Sequence, residues 1–184
     1  HVAISRAGAN YSWAERAMKE WINLSPNLEL KPNNRMVISY VSSDLLTGHA
    51  VAGSMRNVME LHDTRRFQIY VFTVKPDQAE AAYHDGHKKV GLGNAELVDA
   101  SRAEMSELAQ WINDRGTHVL IDCNGQTGRE SLPAYSMRPA AIQIHYLGFP
   151  STIGASYIDH IIGDRVVSPP ELVGWYTEKL LVLS

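Results

Sequence analysis

The sequence predicts an α/β domain with a doubly wound, Rossmann-like parallel sheet. Two observations carry the prediction. Short, continuous apolar runs such as Met36-Val37-Ile38-Ser39-Tyr40-Val41 recur along the chain, as expected of strands covered on both faces. Between them, at separations of roughly 20–30 residues, lie stretches with helical periodicity, the mark of βαβ units.

Residues 1–34 read as a helical lead-in and linker, and residues 35–184 as the sheet domain. Ser12-Trp13-Ala14-Glu15 has the capping-box pattern, and Ala14, Ala17, Met18, Trp21 and Ile22 follow at helical spacing. Pro26 and Lys31-Pro32-Asn33-Asn34 then form a polar linker. The first strand covers 36–41, and Val51, Met55, Val58 and Met59 mark a helix face behind it. Residues 67–73, rich in aromatic and β-branched side chains, form the second strand, and 95–98 a short third. Ser101-Arg102-Ala103-Glu104 is a second capping-box pattern, opening a helix through Met105, Leu108 and Ile112 that stops at Gly116. Residues 118–122 are a strand, 131–137 a short helix, and 142–146 and 157–162 two further strands. The chain opens at His1 and closes on the strand-like run Leu180-Leu181-Val182-Leu183, so it reads as a piece of a longer protein.

Composition narrows the function. A formal net charge of −3, with no Lys/Arg cluster, argues against a nucleic-acid partner. No apolar run approaches the roughly 20 residues of a membrane span. The single cysteine, Cys123, excludes an internal disulfide and fits a reducing compartment.

Ligands of open parallel sheets bind beyond the carboxyl ends of the strands. Three loops leave such ends here: 42–49, 123–128 and 147–154. Asp44 and His49 in the first could handle a proton, or could be a turn residue and a helix cap. Leu147, Gly148, Phe149, Pro150 and Thr152 in the third belong to a segment whose glycines and proline impose an unusual backbone path, presenting main chain to a ligand. Asn124-Gly125 is a common turn pair, and Gln126-Thr127-Gly128 is either ligand-binding or ordinary loop. Elsewhere the signals are weaker. His118 reads as a buried, satisfied histidine. His84, Asp85 and His87 do not match zinc spacing, so no metal is expected. Gly91-Leu92-Gly93-Asn94 lacks the dinucleotide fingerprint and reads as loop. Cys123 follows Asp122, which would raise its pKa and disfavour a nucleophile.

Several motifs, in order and spacing, resemble one family. They are Tyr40-Val41-Ser42-Ser43-Asp44 with His49, Asp122-Cys123-Asn124-Gly125-Gln126-Thr127, Arg138-Pro139-Ala140-Ala141-Ile142-Gln143, Leu147-Gly148-Phe149-Pro150-Ser151-Thr152-Ile153-Gly154, Asp159-His160-Ile161-Ile162-Gly163-Asp164 and Ser168-Pro169-Pro170. From about Arg35 to Leu183 the chain resembles the N-terminal half of the catalytic region of O-GlcNAc transferases, inverting enzymes that glycosylate Ser and Thr of intracellular proteins. The resemblance implies the N-terminal lobe of a GT-B fold, with UDP-GlcNAc as donor and no metal or cofactor. It implies a cytoplasmic or nuclear setting, a C-terminal lobe supplying most nucleotide contacts, and helical (tetratricopeptide) repeats upstream. It matches Asp44 and His49 to cleft residues that assist proton removal, and Leu147, Gly148 and Pro150 to the loop lining the acceptor and sugar side. The chain departs from the family at His49-Ala50-Val51-Ala52-Gly53, where a Pro-Thr-Ser-His run usually follows the histidine, and in one extra residue between Asp44 and His49. A SPINDLY-type protein O-fucosyltransferase using GDP-fucose, and a non-catalytic peptide-binding module of the same fold, are the alternatives.

Overall fold

The computed structural model describes residues 24, 35–46, 49–75, 92–127 and 131–183. Seven parallel strands form one sheet: β1 Met36–Ser42, β2 Phe67–Thr73, β3 Glu96–Asp99, β4 Val119–Asp122, β5 Ile142–Tyr146, β6 His160–Asp164 and β7 Lys179–Leu183. Their order is β3-β2-β1-β4-β5-β6-β7. The order runs outward in both directions from the β1–β4 pair, so the topological switch point lies between those strands. The expected doubly wound, Rossmann-like parallel sheet is the fold observed.

Alternation along each strand divides the core in two. Val37 and Val41 of β1, Tyr70 and Phe72 of β2 and Leu120 of β4 belong to one cluster, with α2 (Met105–Asp114) and α3 (Leu132–Ser136) packed on it. Ile38, Tyr40, Ile69, Val71 and Ile121 belong to the other, beneath Val51, Met55 and Met59 of α1 (Ala50–Glu60). α1 and α2 each bury one stripe against a sheet face, at the spacing the sequence shows, whereas the short α3 is buried at four of its five residues. Of the lead-in only Leu24 is described. Its N–H donates to the Met137 carbonyl at 2.9 Å and its side chain packs on the first cluster.

Three elements differ from expectation. The helix expected from Ser101 begins at Met105, because Ala100, Ser101 and Ala103 are buried in a turn, with the Ser101 N–H on Asp99 Oδ1 and the Ala103 N–H on the Ala100 carbonyl. The reciprocal contact shifts to the overlapping pair, with Glu107 accepting the Glu104 N–H at 2.9 Å. The strand expected over 157–162 is displaced to His160–Asp164. Arg138 Nη1 and Gln143 Nε2 both donate to the Tyr157 carbonyl, at 2.9 and 2.7 Å, so that group is not offered to a strand ladder. A short 3₁₀ helix, Pro170–Trp175, precedes β7. Among the described residues the remaining elements lie within one or two residues of their expected bounds, the ordinary uncertainty of element ends, and the helix expected after Ser12 lies outside the described residues.

The amino-end pole of the sheet is tied by side chains. Arg138 pairs with both Asp159 oxygens at 3.1 Å and donates to the Ala141 carbonyl, while Asp159 accepts the Gln143 N–H at 2.8 Å. The Arg-Pro motif is therefore a structural clamp. His118 is buried as expected, with Nδ1 accepting the Val37 N–H at 3.1 Å, but it is only half satisfied, since its buried Nε2 has no hydrogen-bond partner among the described residues.

Candidate functional site

All three loops singled out in the sequence leave the carboxyl ends of adjacent strands, β1, β4 and β5, and they are joined. Asn124 is the junction of the first two. Its Oδ1 accepts the Ser43 N–H at 2.8 Å, and its Nδ2 donates to Ser43 Oγ at 2.6 Å and to the Thr127 carbonyl at 3.1 Å. Ser43 Oγ–H then donates to Asp44 Oδ2 at 2.6 Å, and the Asp44 N–H donates to Ser42 Oγ at 2.9 Å. A directional chain of donors thus runs from Asn124 through Ser43 to the half-buried Asp44 carboxylate and sets its orientation.

His49 is exposed and is the N-cap of α1, with Nδ1 accepting the Val51 N–H at 3.3 Å. The helix-cap reading is met in the structure. It also fixes the tautomer, since an accepting Nδ1 leaves the proton of a neutral ring on Nε2. Thr47 and Gly48, between Asp44 and His49, lie outside the described residues.

The second and third loops are packed main chain to main chain. A Cβ at Gly148 would collide with the Cys123 carbonyl. One at Gly125, where φ is +59°, would sit 2.6 Å from Phe149 Cβ and 2.8 Å from His145 Cε1. Leu147 has φ +79°, a left-handed conformation that is strained for a branched side chain. Leu147 and Pro150 are exposed, and Gly148 and Phe149 are half-buried. Leu147, Phe149 and Pro150 form one side of a cavity of about 120 Å³ that reaches Ile162, Val167 and Leu183. Compact ligand sites commonly span about 300–1,000 Å³, so this cavity by itself is smaller than a typical one.

Thr152 is committed elsewhere. It is buried, and its Oγ–H donates to Glu178 Oε2 at 2.7 Å while its oxygen accepts the Gly154 and Thr177 N–H groups. Glu178, also buried, accepts the Ile153 N–H at 2.7 Å and the Gly154 N–H at 3.3 Å. Thr152 thus anchors the far end of the loop.

Sequence reasoning missed the group beneath the loops. Register pairs Asp122 of β4 with His145 of β5. Asp122 Oδ2 lies 3.1 Å from His145 Nδ1 and accepts the Gly125 N–H at 2.7 Å; its Oδ1 accepts from Tyr135 Oη and the Asn124 N–H. His145 Nε2 lies 2.6 Å from the Phe149 carbonyl. The available signal was a carboxylate ending one strand and polar residues, Gln143 and His145, alternating on the next. Burial alone would lower the His145 pKa. The hydrogen bond and charge of Asp122, the Phe149 carbonyl and the charge of Glu178 outweigh it and hold the ring above its ordinary value. Cys123 behaves as expected: burial, then the neighbouring Asp122 charge, push its thiol well up, against a nucleophilic role. Burial likewise raises Tyr146. Among the described residues no group of acids, histidines and cysteines could hold a metal ion. Residues 84, 85, 87 and 91 lie outside the described residues.

An open parallel sheet with loops gathered at the carboxyl ends of β1, β4 and β5 defines a doubly wound α/β lobe. The profile of glycosyl transferase family 41 matches residues 16–184, and the chain belongs to that family. It is 34% identical over 150 residues, 79% of its length, to a Caenorhabditis elegans UDP-N-acetylglucosamine–peptide N-acetylglucosaminyltransferase. It is 30% identical over 149 residues, 81% of its length, to the probable enzyme of that kind named SEC in Arabidopsis thaliana. A solved mutant of Thermobaculum terrenum O-GlcNAc transferase superposes on 97% of this chain with a TM-score of 0.76 and 26% identity. The chain spans 12% and 15% of those two curated relatives and 33% of the solved chain. Among the described residues no helix is long and apolar enough to cross a membrane.

Proposed function

We propose that this lobe forms the acceptor side of a protein O-GlcNAc transferase, which moves N-acetylglucosamine from UDP-GlcNAc to Ser or Thr hydroxyls with inversion. The carrying observation is Asn124, which joins the switch-point loops and orients the Asp44 carboxylate at their rim. In the reaction the acceptor oxygen attacks the anomeric carbon as the bond to the UDP oxygen breaks, and the hydroxyl proton must leave. Asp44 is assigned as its acceptor. His49, with Nδ1 taken by the α1 cap, presents Nε2–H as a donor that orients a substrate oxygen. The loop 147–150 lines the sugar and acceptor side. A second, C-terminal lobe closes the cleft and supplies most nucleotide contacts, as the resemblance implies. The diphosphate is held by protein groups without a metal or cofactor, and the setting is cytoplasmic or nuclear with intracellular protein acceptors.

The test is transfer of labelled GlcNAc from UDP-GlcNAc to a Ser/Thr peptide by the whole protein, with and without chelator, and with GDP-fucose in parallel. GlcNAc transfer giving a β-linked product, unaffected by chelator, supports the reading. Fucose transfer alone assigns the SPINDLY-type donor instead. A peptide-binding module remains the second reading because Ala50-Val51-Ala52-Gly53 offers no hydroxyl beside His49. Peptide binding without transfer of either sugar would establish it.

A further inference from the structure

His145 and Asp122 are exposed by 0% and 1%, yet neither belongs to the reacting groups assigned above. Three donors besides the ring converge on Asp122, namely the Asn124 and Gly125 N–H groups and the Tyr135 hydroxyl. A side chain that accepts on both oxygens in this way is a carboxylate and has no hydrogen to offer. The Phe149 carbonyl at the other side of the ring has none either. A neutral imidazole carries one N–H, so it would set a lone pair against an oxygen at 3.1 Å or at 2.6 Å. Only a ring protonated on both nitrogens satisfies both neighbours.

We propose that His145 is the positioning residue of the cleft loop: a buried imidazolium, donating from both ring nitrogens, ties the Asp122 carboxylate to the Phe149 carbonyl and holds residues 147–150 at the crevice. The loop is otherwise strained at Leu147 and seated on Cys123 at Gly148, so its path depends on what fastens Phe149. The titratable groups facing the ring are Asp122 from β4, Tyr135 from α3 acting through Asp122, and Glu178 ahead of β7. The two carboxylates favour the charged ring.

The sign follows from that charge. A histidine whose folded pKa is raised contributes order below its unfolded pKa of about 6.5 and loses it as pH rises through the folded value. The Asp122 charge retains the Nδ1 proton, so deprotonation strips Nε2 and turns its lone pair on the Phe149 carbonyl. The loop should then detach at alkaline pH.

The consequence for turnover rests on the proposed transferase reading, and two arms of one experiment separate them. In the whole protein, ¹⁵N-histidine NMR follows the His145 ring while the Gly148, Phe149 and Ser151 amides are titrated from pH 6 to 9. Two ring N–H signals at neutral pH, with the loop amides moving at the same midpoint as the ring, are expected. A neutral ring at pH 7, or loop amides that ignore its titration, overturns the proposal. The second arm measures acceptor-peptide KM and kcat for wild type and His145→Gln, which cannot carry charge. Wild-type KM should rise by about ten-fold across the His145 midpoint with kcat nearly constant, whereas His145→Gln should show a raised, pH-independent KM. Parallel pH profiles for the two proteins overturn the proposal. If wild type transfers no sugar, the functional reading fails and the NMR arm still decides the latch; it does so equally if His145→Gln does not fold.

Discussion

Replacing Glu178 by alanine should unfasten the 147–154 loop proposed as a cleft wall, and its magnitude can be worked from the contacts. The buried carboxylate accepts the Thr152 hydroxyl and the Ile153 N–H at 2.7 Å each and the Gly154 N–H at 3.3 Å. Thr152 has another hydroxyl partner, Thr177 Oγ1 at 3.1 Å, and the Gly154 N–H keeps Thr152 Oγ1 at 3.1 Å, so the substitution strands chiefly the Ile153 N–H. A buried donor left without a partner costs about 1–3 kcal/mol, and loss of the charged hydrogen bonds brings the sum to roughly 3–5 kcal/mol. At about 2–4 °C per kcal/mol for a domain of this size, Tm should fall by roughly 6–20 °C. Glu178→Gln keeps one acceptor for the N–H groups and should lose only about 1–2 kcal/mol. The assay is urea and thermal unfolding of wild type and both variants, with hydrogen exchange at Ile153 and Gly154. Faster exchange should be confined to those amides in Glu178→Gln. An alanine variant less than about 1 kcal/mol below wild type would refute the view that Glu178 fastens the loop.

Asp44→Asn should lower kcat by about 10²–10⁴-fold with little change in acceptor KM, and His49→Ala should lower it less while removing about 1 kcal/mol of helix cap. If steady-state kinetics find full activity in both, the proton-handling assignment is wrong. Gly148→Ala drives a methyl into the Cys123 carbonyl, main chain that cannot rotate away; we expect about 1–3 kcal/mol of lost stability and a larger loss of acceptor binding. Wild-type affinity for an acceptor peptide in that variant would show that the loop does not line the site. Cys123 should resist alkylation in the folded protein and react only with urea, and rapid labelling under native conditions would contradict its burial and raised pKa.

Much of the fold was legible because it is written in apolar periodicity. Strands 67–73 and 142–146 matched residue for residue, since a run covered on both faces leaves little doubt about its ends. The misplaced strand at 157–162 shows the limit. Tyr157, Ile158 and Ile161 are apolar and buried, but side chains distant in sequence claim the Tyr157 carbonyl, and composition does not encode that competition. The three loops of the site were visible from their residue types, as was the double role of His49. Invisible were the bonds among them: Asn124 looked like half of a turn pair, and only the β1–β4 neighbourhood makes it the partner of Ser43. The Asp122–His145 pair was hidden for the same reason, being created by register across strands some twenty residues apart.

The left-handed Leu147 also bears on the order in which the molecule assembles. Its peptide finds its place only when Gly148 rests on the Cys123 carbonyl, and that carbonyl is in position only after β4 and β5 have paired. The loop therefore cannot nucleate folding, and substitutions within it should speed unfolding while leaving the folding rate almost unchanged. The loop proposed to meet substrate is thus the part assembled last, on a sheet already complete beneath it.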